Sequence, residues 1–207
     1  MALVKHNNNS ISAVTSMASL STGSMTLIKE QTASSSASIS FVDGSGGVVL
    51  DSTYPIYKFE FINIHPATDS AQFKFNMSTD AGSNYNVAKT TTFFKAYHNE
   101  AGSGSSLTYE ASDDLAQGTG SQFLSSVIDN DNDACWDGCM YLYNPSSTTF
   151  VKHFMSVGAS LGASTFSYND FVAGYGNTTS AVDAVQFTMS SGNIDAGTIK
   201  LYGIKDS

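Results

Sequence analysis

Hydrophobic and polar side chains alternate in short runs through most of this chain, and glycine-rich turns interrupt the runs. Residues 57–61 read Tyr-Lys-Phe-Glu-Phe, 73–77 read Phe-Lys-Phe-Asn-Met and 185–189 read Val-Gln-Phe-Thr-Met. Because successive side chains of a strand point to opposite faces, a period of two places one row in a core and the other in solvent. No long segment has the 3.6-residue period of an amphipathic helix. The pattern therefore predicts half-buried β-strands.

Turn-forming residues separate these runs. Gly, Asp, Asn and Ser dominate residues 43–47, 80–83 and 191–193, and they supply the positive φ angles and side-chain hydrogen bonds that hairpins need. Residues 110–117 are predicted to form one or two helical turns, because Glu110, Asp113 and Asp114 favour a helix N-terminus. Besides the runs above and a last one at 199–202, strands are predicted at 25–32, 37–42, 86–97, 139–144, 150–157 and 166–174.

About nine or ten short antiparallel strands do not remain one open sheet, because twist and unpaired edges oppose it. A barrel is one way to close them, and two packed sheets are the other. We predict an all-β fold, a single antiparallel β-sandwich of jelly-roll-like type over residues 25–207. Residues 1–24 are predicted to be an extended N-terminal arm. Ile11, Val14, Met17 and Leu20 give it a thin apolar stripe suited to docking on a neighbouring subunit or a larger particle, and a frayed terminus is the alternative.

Charge and composition exclude several functional classes. The 207 residues carry a net charge of −9, and all nine basic residues are lysines. Duplex DNA needs a basic surface, so no nucleic-acid partner is expected. No run of about 18 apolar residues occurs, so no membrane insertion is expected. The first ten residues contain no apolar core, so no signal peptide is expected.

One short motif resembles a hydrolase signature. Residues 158–162, Gly-Ala-Ser-Leu-Gly, match G-x-S-x-G and follow a predicted strand. A nucleophile elbow also needs a helix after the serine and a histidine later in the chain. All four histidines precede Ser160, and strand and turn patterns follow it. We interpret the match as chance, and we expect no catalytic residues and no enzymatic activity.

Residues 129–133, Asp-Asn-Asp-Asn-Asp, have the opening spacing of a calcium loop. Ala134 and Met140 occupy the positions where an EF-hand requires Gly and Glu, so an EF-hand is excluded. A looser calcium site at Asp129, Asp131 and Asp133 remains a hypothesis, and a solvated acidic loop is the alternative. No other cofactor is expected.

Two cysteines flank an Asp-Gly pair. Asp137-Gly138 is a hairpin signal, and a tight turn there would bring Cys135 and Cys139 close together. An extended segment would instead hold their Cα atoms about 13 Å apart, beyond disulfide reach. Buried free thiols and a local disulfide both stay open.

Ten tyrosines suit a surface that contacts sugars or proteins, because their rings stack and their hydroxyls form hydrogen bonds. Loop aromatics are the candidates, and covering the core is the alternative role for each of them: Tyr85, Tyr109, Tyr168 and Tyr175.

Three segments carry a resemblance to a known group of proteins. They are residues 3–14 (Leu-Val-Lys-His-Asn-Asn-Asn-Ser-Ile-Ser-Ala-Val), 57–87 (from Tyr57 through Phe-Ile-Asn-Ile-His-Pro at 61–66 to Tyr-Asn-Val at 85–87), and 197–205 (Gly-Thr-Ile-Lys-Leu-Tyr-Gly-Ile-Lys). The chain resembles small virion structural proteins of tailed phages that infect cyanobacteria and other aquatic bacteria. The resemblance covers most of the chain but rests on framework and turn residues, so it identifies no site residue.

The resemblance implies a non-enzymatic virion structural protein on the exterior of a phage particle, either a capsid decoration (cement) subunit or a tail appendage component. Its expected partners are other capsid or tail proteins and further copies of itself, with a trimer as one option. The expected location is the virion, assembled in the host cytoplasm. The alternative is a receptor- or carbohydrate-binding module of a tail fibre that binds a host surface glycan. An enzyme acting on host polysaccharide is the least favoured reading.

Overall fold

The computed structural model describes residues 24–162 and 165–205, and all the regular structure in this part of the chain is β. The strands are β1 (Met25–Thr32), β2 (Ile39–Val42), β3 (Ile56–Pro66), β4 (Phe73–Ser78), β5 (Lys89–Asn99), β6 (Ser105–Tyr109), β7 (Gln122–Phe123), β8 (Trp136–Tyr143), β9 (Lys152–Gly162), β10 (Phe166–Gly176), β11 (Ala184–Met189) and β12 (Ile194–Ile204). They confirm the predicted all-β fold.

The strands form two antiparallel sheets of unequal size. The large sheet has eight strands in the order β1-β12-β3-β8-β9-β10-β5-β6, and the small sheet has four in the order β2-β11-β4-β7. This arrangement is consistent with the predicted sandwich, and the jelly-roll order of strands stays a prediction. No helix long and apolar enough to cross a membrane occurs among the described residues.

The core consists mainly of aromatic rings from the two facing sheets. Phe187 of the small sheet lies 5.2 Å from Phe59 and 5.1 Å from Phe61 of the large sheet, measured between ring centroids. Phe61 and Phe73 both contact Trp136, at 5.2 and 5.4 Å. Large rings packed edge to face stabilise such a core beyond their buried area alone.

Trp136 fits into this core because two glycines face it on neighbouring strands. Gly138 of β8 pairs directly with Gly158 of β9. An added Cβ at Gly138 would lie 2.5 Å from the Val157 carbonyl oxygen, and one at Gly158 would overlap the Trp136 ring. The Asp137-Gly138 pair is therefore part of a strand, and the hairpin alternative is wrong. Gly138 allows the neighbouring strand β9 to approach closely, and it does not form a turn.

The predicted helical turns at 110–117 are wrong as well. This segment is a series of turns that lies along β5. The Thr91 amide donates to the Leu115 carbonyl at 2.9 Å, and the Leu115 amide donates to Thr91 Oγ1 at 2.8 Å. These tertiary hydrogen bonds satisfy the backbone groups that a helix would have paired internally.

The first strand begins at Met25, where the sequence placed the start of the domain. The Lys205 amide donates to the Ser24 carbonyl at 3.0 Å and joins this end of β1 to the end of β12. The rest of the predicted docking arm, 1–23 with its apolar stripe, lies outside the described residues.

Candidate contact surface

The outer side of the large sheet carries an apolar surface over the strands β8, β9, β10, β5 and β6. Met140, Leu142 and Phe154 point into the core and are fully or almost fully buried. Their neighbours along the strands therefore point outward, away from the small sheet. Nine of these outward-pointing hydrophobic residues lie together across the five strands, and we call this group the apolar face: Phe94, Leu107, Tyr109, Tyr141, Tyr143, Met155, Val157, Phe171 and Ala173.

Strand register makes the apolar face continuous. One row across the sheet pairs Val157 with Phe171, Phe171 with Phe94, and Phe94 with Tyr109. The Phe94 and Phe171 rings stack with centroids 4.9 Å apart and planes 6° apart. Cross-strand aromatic pairs of this kind stabilise a sheet, but here they do so on the side that faces solvent.

The face remains open in spite of this packing. Leu107 is 71% exposed, Met155 and Tyr109 are each 55% exposed, and Phe94 is 40% exposed. The centre of the face forms a shallow depression of about 370 Å³ that includes Tyr141, Met155 and Phe171 among its lining residues. Large hydrophobic side chains grouped in this way on a surface mark a contact site more often than scattered ones do.

The other half of the same outer side is charged. One row of directly opposite residues crosses the sheet from Glu30 on β1 through Lys200 on β12 to Glu60 on β3. The next residue in this row is Cys139 on β8, and from there on the row is apolar. Lys58 Nζ donates to Glu60 Oε1 at 2.7 Å. This hydrogen bond holds the pKa of Glu60 below its usual value, against the opposing effect of burial. The outer side is thus divided at β8 into a charged half and an apolar half.

Sequence reasoning did not identify this face, although a signal was present. Residues 139–143 read Cys-Met-Tyr-Leu-Tyr and 171–173 read Phe-Val-Ala, so both alternating positions are hydrophobic there. Such a run indicates a strand covered on both sides. The described residues cover only one side of β8 and β10.

Ser160 lies inside β9 and not at a turn between a strand and a helix. Its hydroxyl is buried and has no hydrogen-bond partner within the described ranges. The following described strand, β10, returns antiparallel beside β9. The G-x-S-x-G match therefore lacks the geometry of a nucleophile elbow.

The three candidate calcium ligands lie in the loop between β7 and β8. Asp129 is buried, whereas Asp131 and Asp133 are exposed. The backbone carbonyl of Asp131 lies 3.2 Å from His65 Nε2. No group of three or more His, Cys, Asp or Glu side chains that could hold a metal ion occurs in 24–162 and 165–205. Calcium binding by these residues stays a hypothesis that the geometry does not support.

Both cysteines are free thiols and half-buried. Cys135 Sγ lies 3.2 Å from an Asp137 carboxylate oxygen. Burial and this carboxylate raise the pKa of Cys135 to about 11, so its thiol is protonated at neutral pH. A protonated thiol is a poor nucleophile and a poor metal ligand.

The four tyrosine candidates do not form one site. Only Tyr85 lies in a loop, whereas Tyr109 belongs to β6 and both Tyr168 and Tyr175 belong to β10. Their expected placement in loops is therefore wrong for three of the four. Tyr109 belongs to the apolar face, and Tyr168 contacts Lys95, whose Nζ lies 5.4 Å from the ring centroid.

One carboxylate is fully buried on the inner side of β10. Asp170 accepts hydrogen bonds from Ser126 Oγ at 2.6 Å and from the Ser126 amide at 2.9 Å. Burial raises the pKa of Asp170 to about 6, although these two bonds act in the opposite direction. A carboxyl group with a shifted pKa can mark a catalytic site, but the Asp170 side chain has no exposed surface from which to reach a substrate.

Two lysines are also fully buried. Lys89 and Lys152 lie on the strands that flank Gly176, one on each side. Lys89 donates to the Val87 carbonyl at 2.7 Å, and Lys152 donates to the Phe150 carbonyl at 2.7 Å. Burial lowers the pKa of Lys89 to about 8. Lys89 also donates to Asn76 Oδ1 and Lys152 to the Thr178 carbonyl, so both ammonium groups connect separate segments of the fold, which is a structural role.

Comparisons of this chain with models of known protein families, with curated proteins and with solved structures find no match.

Proposed function

We propose that this chain is a non-enzymatic virion structural protein on the exterior of a phage particle, either a capsid decoration subunit or a tail appendage component. The observation that carries the proposal is the apolar face, a solvent-facing hydrophobic surface on an otherwise acidic and polar molecule. Its shape is a broad, shallow sheet side, and such a shape suits contact with another protein better than the enclosure of a small substrate. A solvent-facing hydrophobic surface of this kind favours assembly with another protein subunit of the particle, which can be a second copy of the chain.

The remaining surface supports the same role. A net charge of −9 keeps single copies soluble before assembly. The charged half of the large sheet, with Lys58, Glu60 and Lys200, provides a polar border beside the apolar face. A hydrophobic centre with a polar border is the usual anatomy of a protein interface. The resemblance to phage virion proteins agrees with this interpretation.

The test is the copy number and position of the protein in purified virions of the phage that encodes it. Quantitative mass spectrometry of intact particles should find a high copy number for a decoration subunit and a low one for a tail component. Electron microscopy with an antibody label should place the protein on the exterior. Absence of the protein from purified particles would refute the proposal.

A second candidate function is binding of a host surface glycan as part of a tail fibre. Tyr141 and Tyr143 favour it, because their rings stack 6.4 Å apart on the solvent-facing side of β8. Exposed tyrosine rings can stack on sugar rings through an open face. Binding to a glycan array that is lost in a Tyr141→Ala, Tyr143→Ala variant would favour this candidate over a purely structural role.

A further inference from the structure

The apolar face is large enough to form the hydrophobic centre of an interface. Five strands about 4.8 Å apart, with two or three outward positions each, cover roughly 400 Å². This matches the largest hydrophobic patch of a typical monomer, a patch that is often functional. A stable dimer buries about 800 Å² on each partner, so the face supplies about half of that area. Surrounding polar residues such as Thr90, Thr92 and Asn169 are available for the rest.

The chemistry of the face favours a second copy of this chain over a different protein. Homodimer interfaces are more hydrophobic than interfaces between different proteins, which take their specificity from charged and polar groups. The central rows contain Met155, Val157, Phe171 and Phe94 and no charged side chain.

The acidic groups of the large sheet lie away from the centre of the apolar face, although Asp114 borders it through its contact with Tyr109. A molecule with a net charge of −9 repels its own copies wherever acidic groups meet. On the large sheet the acidic Glu30 and Glu60 lie on the other side of the division at β8, and each has a lysine beside it. Two copies that meet through the apolar face therefore bring no like charges together at its centre.

We propose that the apolar face packs against the same face of a second copy around a two-fold axis. This inference rests on the proposed structural role and names the partner that the face binds. Two sheets then stack as in a sandwich, about 10 Å apart, and each residue contacts its symmetry-related counterpart or neighbours. The dimer is the unit that would be built into the particle.

The test uses the full chain and a matched pair of variants. Met155→Glu places a carboxylate at the centre of the face, and Met25→Glu makes the same change on β1, outside the face. The two methionines are 55% and 46% exposed, so both variants should fold, which circular dichroism and thermal melting check. Analytical ultracentrifugation over a range of concentrations then gives the dimer dissociation constant of each protein.

The wild type should approach twice the 21.9 kDa mass of one chain as its concentration rises. Met155→Glu should raise the dissociation constant at least about 100-fold, because the two-fold axis brings two unpaired carboxylates into the contact. Met25→Glu should leave it within about two-fold of the wild type, because its side chain stays in solvent.

Three results would overturn the inference. They are a wild type that stays monomeric at every concentration, a trimer or larger species in place of a dimer, and equal effects of the two substitutions. Incorporation into virions is measured separately. A monomer that is still found in particles refutes the dimer and leaves the proposed function intact. A dimer that is absent from particles refutes the proposed function and leaves the inferred dimer intact.

Discussion

Replacing the buried Asp170 by asparagine should stabilise the protein at neutral pH. Asparagine has the same shape, and its amide group can keep one hydrogen bond with the Ser126 amide and another with the Ser126 hydroxyl. The substitution removes the negative charge that Asp170 carries when it is ionised. Burial opposes ionisation of Asp170 and raises its pKa from 3.8 to about 6, so the folded protein at pH 7 carries a carboxylate that the fold disfavours.

The magnitude and its pH dependence follow from this difference. The folded state holds the Asp170 proton more tightly than the unfolded state does, so the wild type is most stable below pH 3.8 with respect to this group and loses stability between pH 3.8 and about 6. A shift of about two pKa units corresponds to about 3 kcal/mol at roughly 1.4 kcal/mol per unit. Asp170→Asn cannot ionise and does not undergo this loss.

The assay is urea unfolding of both proteins from pH 3 to pH 8, followed by the fluorescence of Trp136, the only tryptophan. Subtracting the two stability curves removes the titration of groups that both proteins share. The variant's advantage should be about 3 kcal/mol larger above pH 6 than below pH 3.8. Asp69→Asn, at an exposed carboxylate, is the control and should change stability by less than about 0.5 kcal/mol.

A stability difference between Asp170→Asn and the wild type that does not vary with pH would refute this reasoning. A variant that is less stable than the wild type at pH 7 would do so too, because it would mean that the hydrogen bonds from Ser126 favour the carboxylate more than burial disfavours it.

Three further outcomes are expected. Gly158→Ala should destabilise the fold by at least about 2 kcal/mol in thermal melts, because its methyl group overlaps Trp136, whereas Gly120→Ala, at a site with open space, should not. Burial lowers the pKa of Lys89 to about 8, so wild-type stability should rise between pH 8 and 10.5, and a Lys89→Met variant that shows the same rise would contradict this. Deletion of residues 1–24 should leave a folded domain that no longer joins the particle, and normal incorporation of the truncated chain would refute the docking-arm hypothesis.

The strands with clear alternation were predictable from sequence. β1 has the predicted bounds, and the cores of β3, β4, β11 and β12 match the runs that read hydrophobic at every second position. The half-buried strand is the simplest consequence of a period of two, because it needs no knowledge of the partner strand. The predicted strand ends differ from the observed ones where a strand continues through small or polar residues, as β9 does through Gly158 and Gly162.

The errors arose where long-range contacts decide local structure. The Asp137-Gly138 pair has the local chemistry of a turn, but the backbone of the neighbouring strand comes so close that a glycine is required there inside β8. The segment 110–117 has helix-favouring charges, but Thr91 of β5 pairs with its backbone. The short strands β6 and β7 have little pattern of their own and form because β5 and β4 offer free edges. Propensity is overridden by tertiary context in each case.

The candidate surface was missed for a related reason. Residues hydrophobic on both sides of a strand predict that both sides are covered, but the sequence does not say by what. Only the sheet order shows that the small sheet covers one side of β8, β9 and β10 and that their outer residues gather into one face.

A cryo-electron microscopy map of the intact phage at side-chain resolution tests the proposed role of the apolar face most directly. Density for this chain should lie on the outside of the particle, with Met155 and Phe171 covered by another protein subunit. A map in which those side chains face bulk water, or in which the chain has no density, would contradict it.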